Sequence, residues 1–180
     1  SDDLVLKKKA IKYGFNFYKR DKKFAMDKTC IKDVFLDMTK KVKFKQNTFI
    51  WLFYIPLVYK RKIDFKNSIK IVEKKNLKSV CSFKLADTNP YSCWYIKKNK
   101  PFQFLKNNLY RRQDFPKAYS HHHYICGFDV KFLKKLNNEL IFSDTYPILL
   151  SKHVSNKLIE VDTFEDLKKL KNQIKWKNLI

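Results

Sequence analysis

Glycine is almost missing from this sequence, with two residues among 180 against sixteen Phe and ten Tyr. That scarcity excludes a flexible linker or a low-complexity tract, while a hydrophobic fraction of 44% is enough for a sizeable core. Long apolar runs are also missing. The longest, Phe49 to Leu57, is far too short to cross a bilayer and no signal peptide opens the chain, so no membrane role is expected. Closely spaced cysteines are absent too: Cys30, Cys81, Cys93 and Cys126 form no CxxC pair, which argues against a zinc site built on thiols and predicts reduced, mostly buried thiols in a cytoplasmic protein. Acidic residues are few, 17 against 40 basic ones, giving a formal charge of +23. Such a charge admits phosphate-backbone binding. Most of it is Lys, however, spread from Lys7 to Lys177 over what read as solvated helix faces. It therefore speaks to solubility, and nucleic acid is not the expected partner.

What is present is an alternation of helical and short apolar patterns over one domain spanning 1–180, the pattern of an α/β fold with a largely parallel sheet covered on both faces. Asp2 and Asp3 can cap a first helix with Leu4, Ala10 and Ile11 as its apolar stripe and Gly14 as its left-handed stop. Phe15 to Tyr18 reads as a strand. A second helix follows Asp27, with Ile31, Val34, Phe35, Met38 and Val42 at one-face spacing. Thr48 to Ile55, apolar on both faces, reads as a central parallel strand. Asp64 can cap a third helix bearing Phe65, Ile69 and Val72, and Ser79 to Leu85 is a strand. Residues 87–120 read as an excursion from the main sheet, with turns at Asn89-Pro90 and Asn99-Lys100-Pro101 around a strand from Trp94 to Ile96. Tyr124 to Phe128 resumes strand character, Asp129 can cap a short helix, Lys157 to Val161 is a last strand and a last helix starts at Thr163.

Two motifs carry chemistry. Arg111-Arg112-Gln113-Asp114-Phe115-Pro116 precedes the strand at Tyr124, and Glu160-Val161-Asp162-Thr163 closes the last strand with two carboxylates on one side, a donor set that suits a hard cation. Asp162 is equally well placed as an N-cap. The first motif resembles the Arg-Gln-Asp/Glu-Leu-Pro motif of the acylneuraminate cytidylyltransferases, the CMP-sialic acid synthetases, and the second is similar to that family's acidic strand-to-helix ending. Ser1-Asp2-Asp3 and the segment from Arg20 to Asp27 add to the resemblance, which covers nearly the whole chain.

The resemblance implies a Rossmann-like, mostly parallel sheet of the nucleotide-diphospho-sugar transferase type, with 87–120 as a dimerisation or substrate excursion and a homodimer as the assembly. It implies transfer of CMP from CTP to a sialic-acid-like sugar with release of pyrophosphate and with Mg²⁺ as cofactor. On that reading Arg112 positions substrate through its two-bonded guanidinium fork and Gln113 adds a neutral hydrogen bond. Arg20 serves the nucleotide, Asp162 and Glu160 hold the metal, and Ser120 and His122 line the sugar pocket. Ser120 stands where the family has an arginine for the sugar carboxylate, and Phe53 to Val58 stands where it has polar residues. No segment rich in Arg, Gly, Ser and Lys precedes Ser1, so the chain by itself is expected neither to grip CTP nor to turn over. A pseudaminic or legionaminic acid as substrate, and a basic α/β module that binds nucleic acid without catalysis, are the alternatives. Among the histidines, alternation on an extended strand turns His122 away from His121 and His123, which makes one ion on all three awkward.

Overall fold

A computed structural model of the chain describes residues 1–26, 28–45 and 47–173. Helix α1, Leu4–Lys12, begins where the Asp3 carboxylate accepts the backbone N–H of Val5 at 2.6 Å and of Leu6 at 3.1 Å. It stops before Gly14, whose φ of +75° only glycine adopts without strain. Its apolar stripe finds no core, since Leu4, Val5, Leu6 and Ile11 are all exposed. Helix α2, Ile31–Lys41, has Cys30 as N-cap; Asp27, after which the helix was expected, lies outside the described residues. Helix α3, Lys62–Lys75, starts two residues before Asp64, so Asp64 is not its cap. The Asp64 carboxylate instead accepts the Tyr124 hydroxyl at 2.6 Å and Arg61 Nη2 at 3.0 Å.

Strands β1 (Phe49–Trp51), β2 (Ser79–Leu85), β5 (Tyr119–Asp129) and β6 (Tyr146–Leu149) form one sheet in the order β1-β5-β2-β6, and β3 (Trp94–Lys97) pairs only with β4 (Lys100–Gln103). Two of the sheet's three pairings are antiparallel and only β2–β6 is parallel, which corrects the expectation of a mostly parallel sheet. The reason lies in the connection between β2 and β5. Instead of a crossover helix, residues 86–118 carry the β3–β4 hairpin and return the chain beside its point of departure, with Leu85 opposite Tyr119. Helix α3 joins β1 to β2, which run the same way with the reversed β5 between them.

The sheet is covered on both faces. Val80, Tyr124 and Ile125 join Phe65 and Val72 of α3 and Val154 of α4 (Lys152–Ser155) in one cluster. Cys126 and Phe128 join Leu133, Leu136 and Leu140, with Ile31, Phe35 and Leu36 of α2 packed against them; the Phe35 and Phe128 rings meet edge to face at 5.2 Å. Where β1 crosses β5, a Cβ on Gly127 would stand 2.6 Å from Phe49 and 3.0 Å from the Ile50 carbonyl, so only glycine lets the strands close.

Three expected features are absent or reduced. Phe15 to Tyr18 pairs with no strand; β1 keeps only the middle of Thr48 to Ile55; and Lys157 to Val161 makes a single bridge, Glu160 to Leu57. Conversely β5 begins five residues earlier than the apolar run at Tyr124, so Ser120 and all three histidines lie on a strand. Strand β6, with Pro147 on the sheet edge where proline is tolerated, was not legible as a strand.

The long strand is not continuous in register. Cys81 faces Cys126 but Ser82 faces His122, so His123, Tyr124 and Ile125 bulge out of the ladder. An odd number of inserted residues exchanges the faces beyond the bulge, placing His121 opposite Phe83 and Ser120 opposite Lys84. The buried Ser82 hydroxyl closes the gap, donating to the His122 carbonyl and accepting the Ile125 N–H at 2.9 Å. Ser82→Ala removes both bonds, leaving the His122 carbonyl only its weak contact with Cys81 Sγ, and is expected to cost about 1–3 kcal/mol in urea unfolding; an unchanged midpoint would show that the hydroxyl is not needed to hold the bulge.

Candidate functional site

The chemistry-bearing residues gather where β1 and β2 end and β5 begins, the end of an α/β sheet at which ligands commonly bind. Beyond Leu85, residues 85–89 and 115–118 enclose a cleft of about 510 Å³ that Arg112 also lines. The cleft is braced from both sides. Asn89 accepts Tyr91 N–H at 3.0 Å and donates to the Pro116 carbonyl at 2.8 Å, while Ala86 N–H bonds the Ala118 carbonyl at 2.9 Å. Arg111 grips Asp114 through Nε at 2.7 Å and Nη2 at 2.9 Å, which fixes the turn of 3-10 helix at Arg112–Asp114. Arg112 and Gln113 are exposed, and Arg112 has no ion-pair partner among the described residues.

Arg20 lies elsewhere. Its Nη2 bonds Asp2 at 2.8 Å, its buried Nε has no partner, and its backbone N–H bonds the Ser1 carbonyl. Together with Ser1, Thr29 and Tyr54 it lines a second cleft of about 600 Å³ beyond the end of β1. Tyr54 ties that cleft to the rest. Its ring meets His123 at 5.6 Å edge to face. Burial, and then the Glu160 carboxylate beside it with Asp162 and Glu139 farther off, push the Tyr54 hydroxyl up to about 12. The tyrosine stays neutral at physiological pH, a hydrogen-bond donor beside the Glu160 carboxylate.

On β5, Ser120 Oγ and His122 Nδ1 are buried without hydrogen-bond partners among the described residues, two residues apart and so on one face. Burial, then Lys84 and the flanking histidines, lowers His122 to about 4, so its ring is neutral at pH 7. A buried polar atom without a partner is costly to fold around, and two of them on one face mark a place prepared for something polar. His121 and His123 meet Glu139 on the opposite side.

Glu160 and Asp162 are exposed, with Val161 N–H bonded to the Pro56 carbonyl between them. Asp162 is not the cap of helix α5, Phe164–Gln173. Thr163 is: Asp166 N–H bonds Thr163 Oγ1 at 3.2 Å while the Asp166 carboxylate accepts Thr163 N–H and Oγ1, a closed capping box. That frees the Asp162 carboxylate from local duty, and two oxygen donors without a Lys or Arg partner among the described residues fit a hard cation that retains several waters.

The structure thus brings Tyr54 beside both Arg20 and Glu160 and Ser120 with His122 onto one strand face, and it sets Arg112 in a separate cleft that Gln113, exposed next to it, does not line. Tyr54 and Glu139 were missed in the sequence. Tyr54 sat inside an apolar run, and Glu139 lies in a turn with no motif around it. No protein-family model matches the chain, and no curated protein matches it. The capping assignment has a direct check in thermal unfolding. Thr163→Ala should cost about 1 kcal/mol, whereas Asp162→Asn should leave stability within about 0.5 kcal/mol of the parent; the reverse order would return Asp162 to the cap.

Proposed function

We propose that the chain supplies the acceptor and metal side of a nucleotidyltransferase that joins CMP from CTP to a sialic-acid-like sugar acid. The observation that carries the reading is the segment from Arg111 to Pro116: the motif that resembles the cytidylyltransferases forms a wall of the cleft at the end of β2, with its second arginine unpaired there. Arg112 holds a carboxylate or phosphate through two parallel N–H bonds, and Gln113 adds a neutral one. Arg20 serves the nucleotide. Ser120 and His122, with polar atoms free, line the sugar. Asp162 and Glu160 hold Mg²⁺, which supplies charge stabilisation at the phosphate under attack. Glu160, the longer ligand and already beside Tyr54, has the smaller share.

Binding of the acceptor tests this reading. Calorimetric titration with sialic, legionaminic and pseudaminic acids and with CMP-sialic acid in Mg²⁺ should give saturable binding of one of them. Arg112→Lys should weaken it by about tenfold or more, because a point ammonium cannot reproduce the fork. In a form of the enzyme completed with a CTP-gripping segment, Asp162→Asn should abolish Mg²⁺-dependent pyrophosphate release, with Glu160→Gln milder. Affinity for duplex DNA that falls steeply with salt, with no binding of any sugar acid, would favour the nucleic-acid module instead.

The assembly proposed is a homodimer through the hairpin of β3 and β4. Trp94, Ile96 and Phe102 are exposed on it, while Tyr95 stacks with Phe102 and meets Phe104, each at 5.4 Å. An ordered aromatic surface of this kind invites a partner. Sedimentation should show a dimer that Ile96→Lys converts to monomer; a monomeric parent at high concentration would end the proposal. Among the described residues no helix is long and apolar enough to cross a membrane.

A further inference from the structure

We infer that His121, His123 and Glu139 form a binding site for a divalent transition metal of the Zn²⁺ class, separate from the carboxylate pair at Glu160 and Asp162. His121 Nε2 lies 3.1 Å and His123 Nε2 3.8 Å from the same carboxylate oxygen, Oε2 of Glu139, and the three donor atoms all fall within 4.8 Å of one another. Tetrahedral Zn²⁺, with bonds of about 2.0–2.1 Å, holds its donor atoms roughly 3.3 Å apart. The two separations to Glu139 bracket that value, and the two imidazole donors, no more than 4.8 Å apart, would close by at most about 1.5 Å to take the ion.

A plain hydrogen bond between His121 and Glu139 needs none of the other features. The second ring is there because His121 and His123 alternate onto one side of β5, with ring centroids 5.4 Å apart. The Tyr54 ring abuts His123, whose Nε2 would give up its present contact with the Glu139 carbonyl at 3.2 Å on taking the ion. Glu139 is itself held in place. Asn137 Oδ1 accepts the N–H groups of Glu139 and Ile141 at 2.9 Å each, Asn137 N–H bonds the Ile141 carbonyl at 2.8 Å, and Leu140, left-handed at φ +60°, plugs the turn into the core. Supporting contacts of this kind orient ligands before the metal arrives.

The chemistry of the donors sets the class of ion. Two imidazoles and one carboxylate suit Zn²⁺ and its first-row neighbours, whereas Mg²⁺ prefers oxygen donors and water. The side chains of His121 and Glu139 are 39% and 53% exposed while that of His123 is 14% exposed, so the site opens to solvent on one side and leaves a coordination position for water or an anionic ligand. The cluster gathers ligands from β5 and from the turn that follows the 3-10 helix at Val130–Lys135. A bound ion would clamp that turn to the strand.

Calorimetric titration of the metal-free 180-residue chain with Zn²⁺ tests the inference. One equivalent should bind with micromolar or tighter affinity, and a large excess of Mg²⁺ should not displace it. His121→Gln, His123→Gln and Glu139→Gln should each lose more than the roughly 10–100-fold that removal of a mere supporting group costs. His122→Gln should bind as the parent does, and circular dichroism of each metal-free variant should match the parent's. Co²⁺ on the unaltered chain gives a second reading that needs no substitution: a visible spectrum of nitrogen and oxygen ligation supports the site, and thiolate charge-transfer bands overturn it. Absence of saturable Zn²⁺ binding, displacement by Mg²⁺, or unchanged affinity in the His121 and Glu139 variants would each overturn it as well.

Discussion

The two hydrogen bonds of the Ser82 hydroxyl hold the rest of the site in place. Strand β5 runs against β1 and β2 and must serve both ends of the sheet, as core at Cys126 and Phe128 and as site at Ser120 to His123. A regular strand keeps one alternation throughout. The bulge of three residues breaks that alternation once, in the middle, and Ser82 satisfies the backbone groups that the break would otherwise leave unpaired in the core. Tyr124 and Ile125, neighbours in sequence, can then both join the cluster under α3, and the Tyr124 hydroxyl reaches Asp64 and Arg61.

Charge is distributed against the grain of the composition. A chain with 40 basic and 17 acidic residues sets Glu160, Asp162 and Glu139 about Tyr54, while Arg112, in a separate cleft, has no ion-pair partner among the described residues. Elsewhere Asp2, Asp21, Asp37, Asp64, Asp87, Asp114, Asp144 and Asp166 meet Lys or Arg at 2.7–3.3 Å. Glu160 and Asp162 have no such partner among the described residues, so their field is spent on Tyr54 and on whatever cation the site takes. On the proposed reading Arg112 would meet anions and the acidic group a cation, the division that a metal-assisted transfer from a nucleotide uses.

Much of the fold could be read from the residues, and the misreadings have physical causes. Helix α1 announces itself by its Asp3 cap and helices α2 and α3 by apolar spacing, and β2 by an apolar run ending where the turn begins. Strand direction is a different matter. Apolar residues on both faces mark burial, and burial is as complete for the antiparallel β5 as for a parallel strand, so periodicity cannot tell the two apart. The polar start of β5, Ser120 to His123, hid its true length. Pro147 hid β6. Within the candidate site the motif residues Arg112, Gln113, Glu160 and Asp162 were visible because motifs are local. The pairing of His123 with Tyr54 and of both histidines with Glu139 was not, because those contacts are made by the bulge and by the turn at Asn137, which no spacing records.

Cross-strand nuclear Overhauser contacts between β2 and β5 test the account where it is most exposed. The bulged register predicts backbone contacts between Val80 and Gly127 and between Cys81 and Cys126, and then, after the break, between Phe83 and His121 and between Lys84 and Ser120. Contacts between Phe83 and Tyr124 and between Lys84 and His123 would show an unbroken ladder. Such a ladder would turn the histidines to the other face, and the site built on them would not exist.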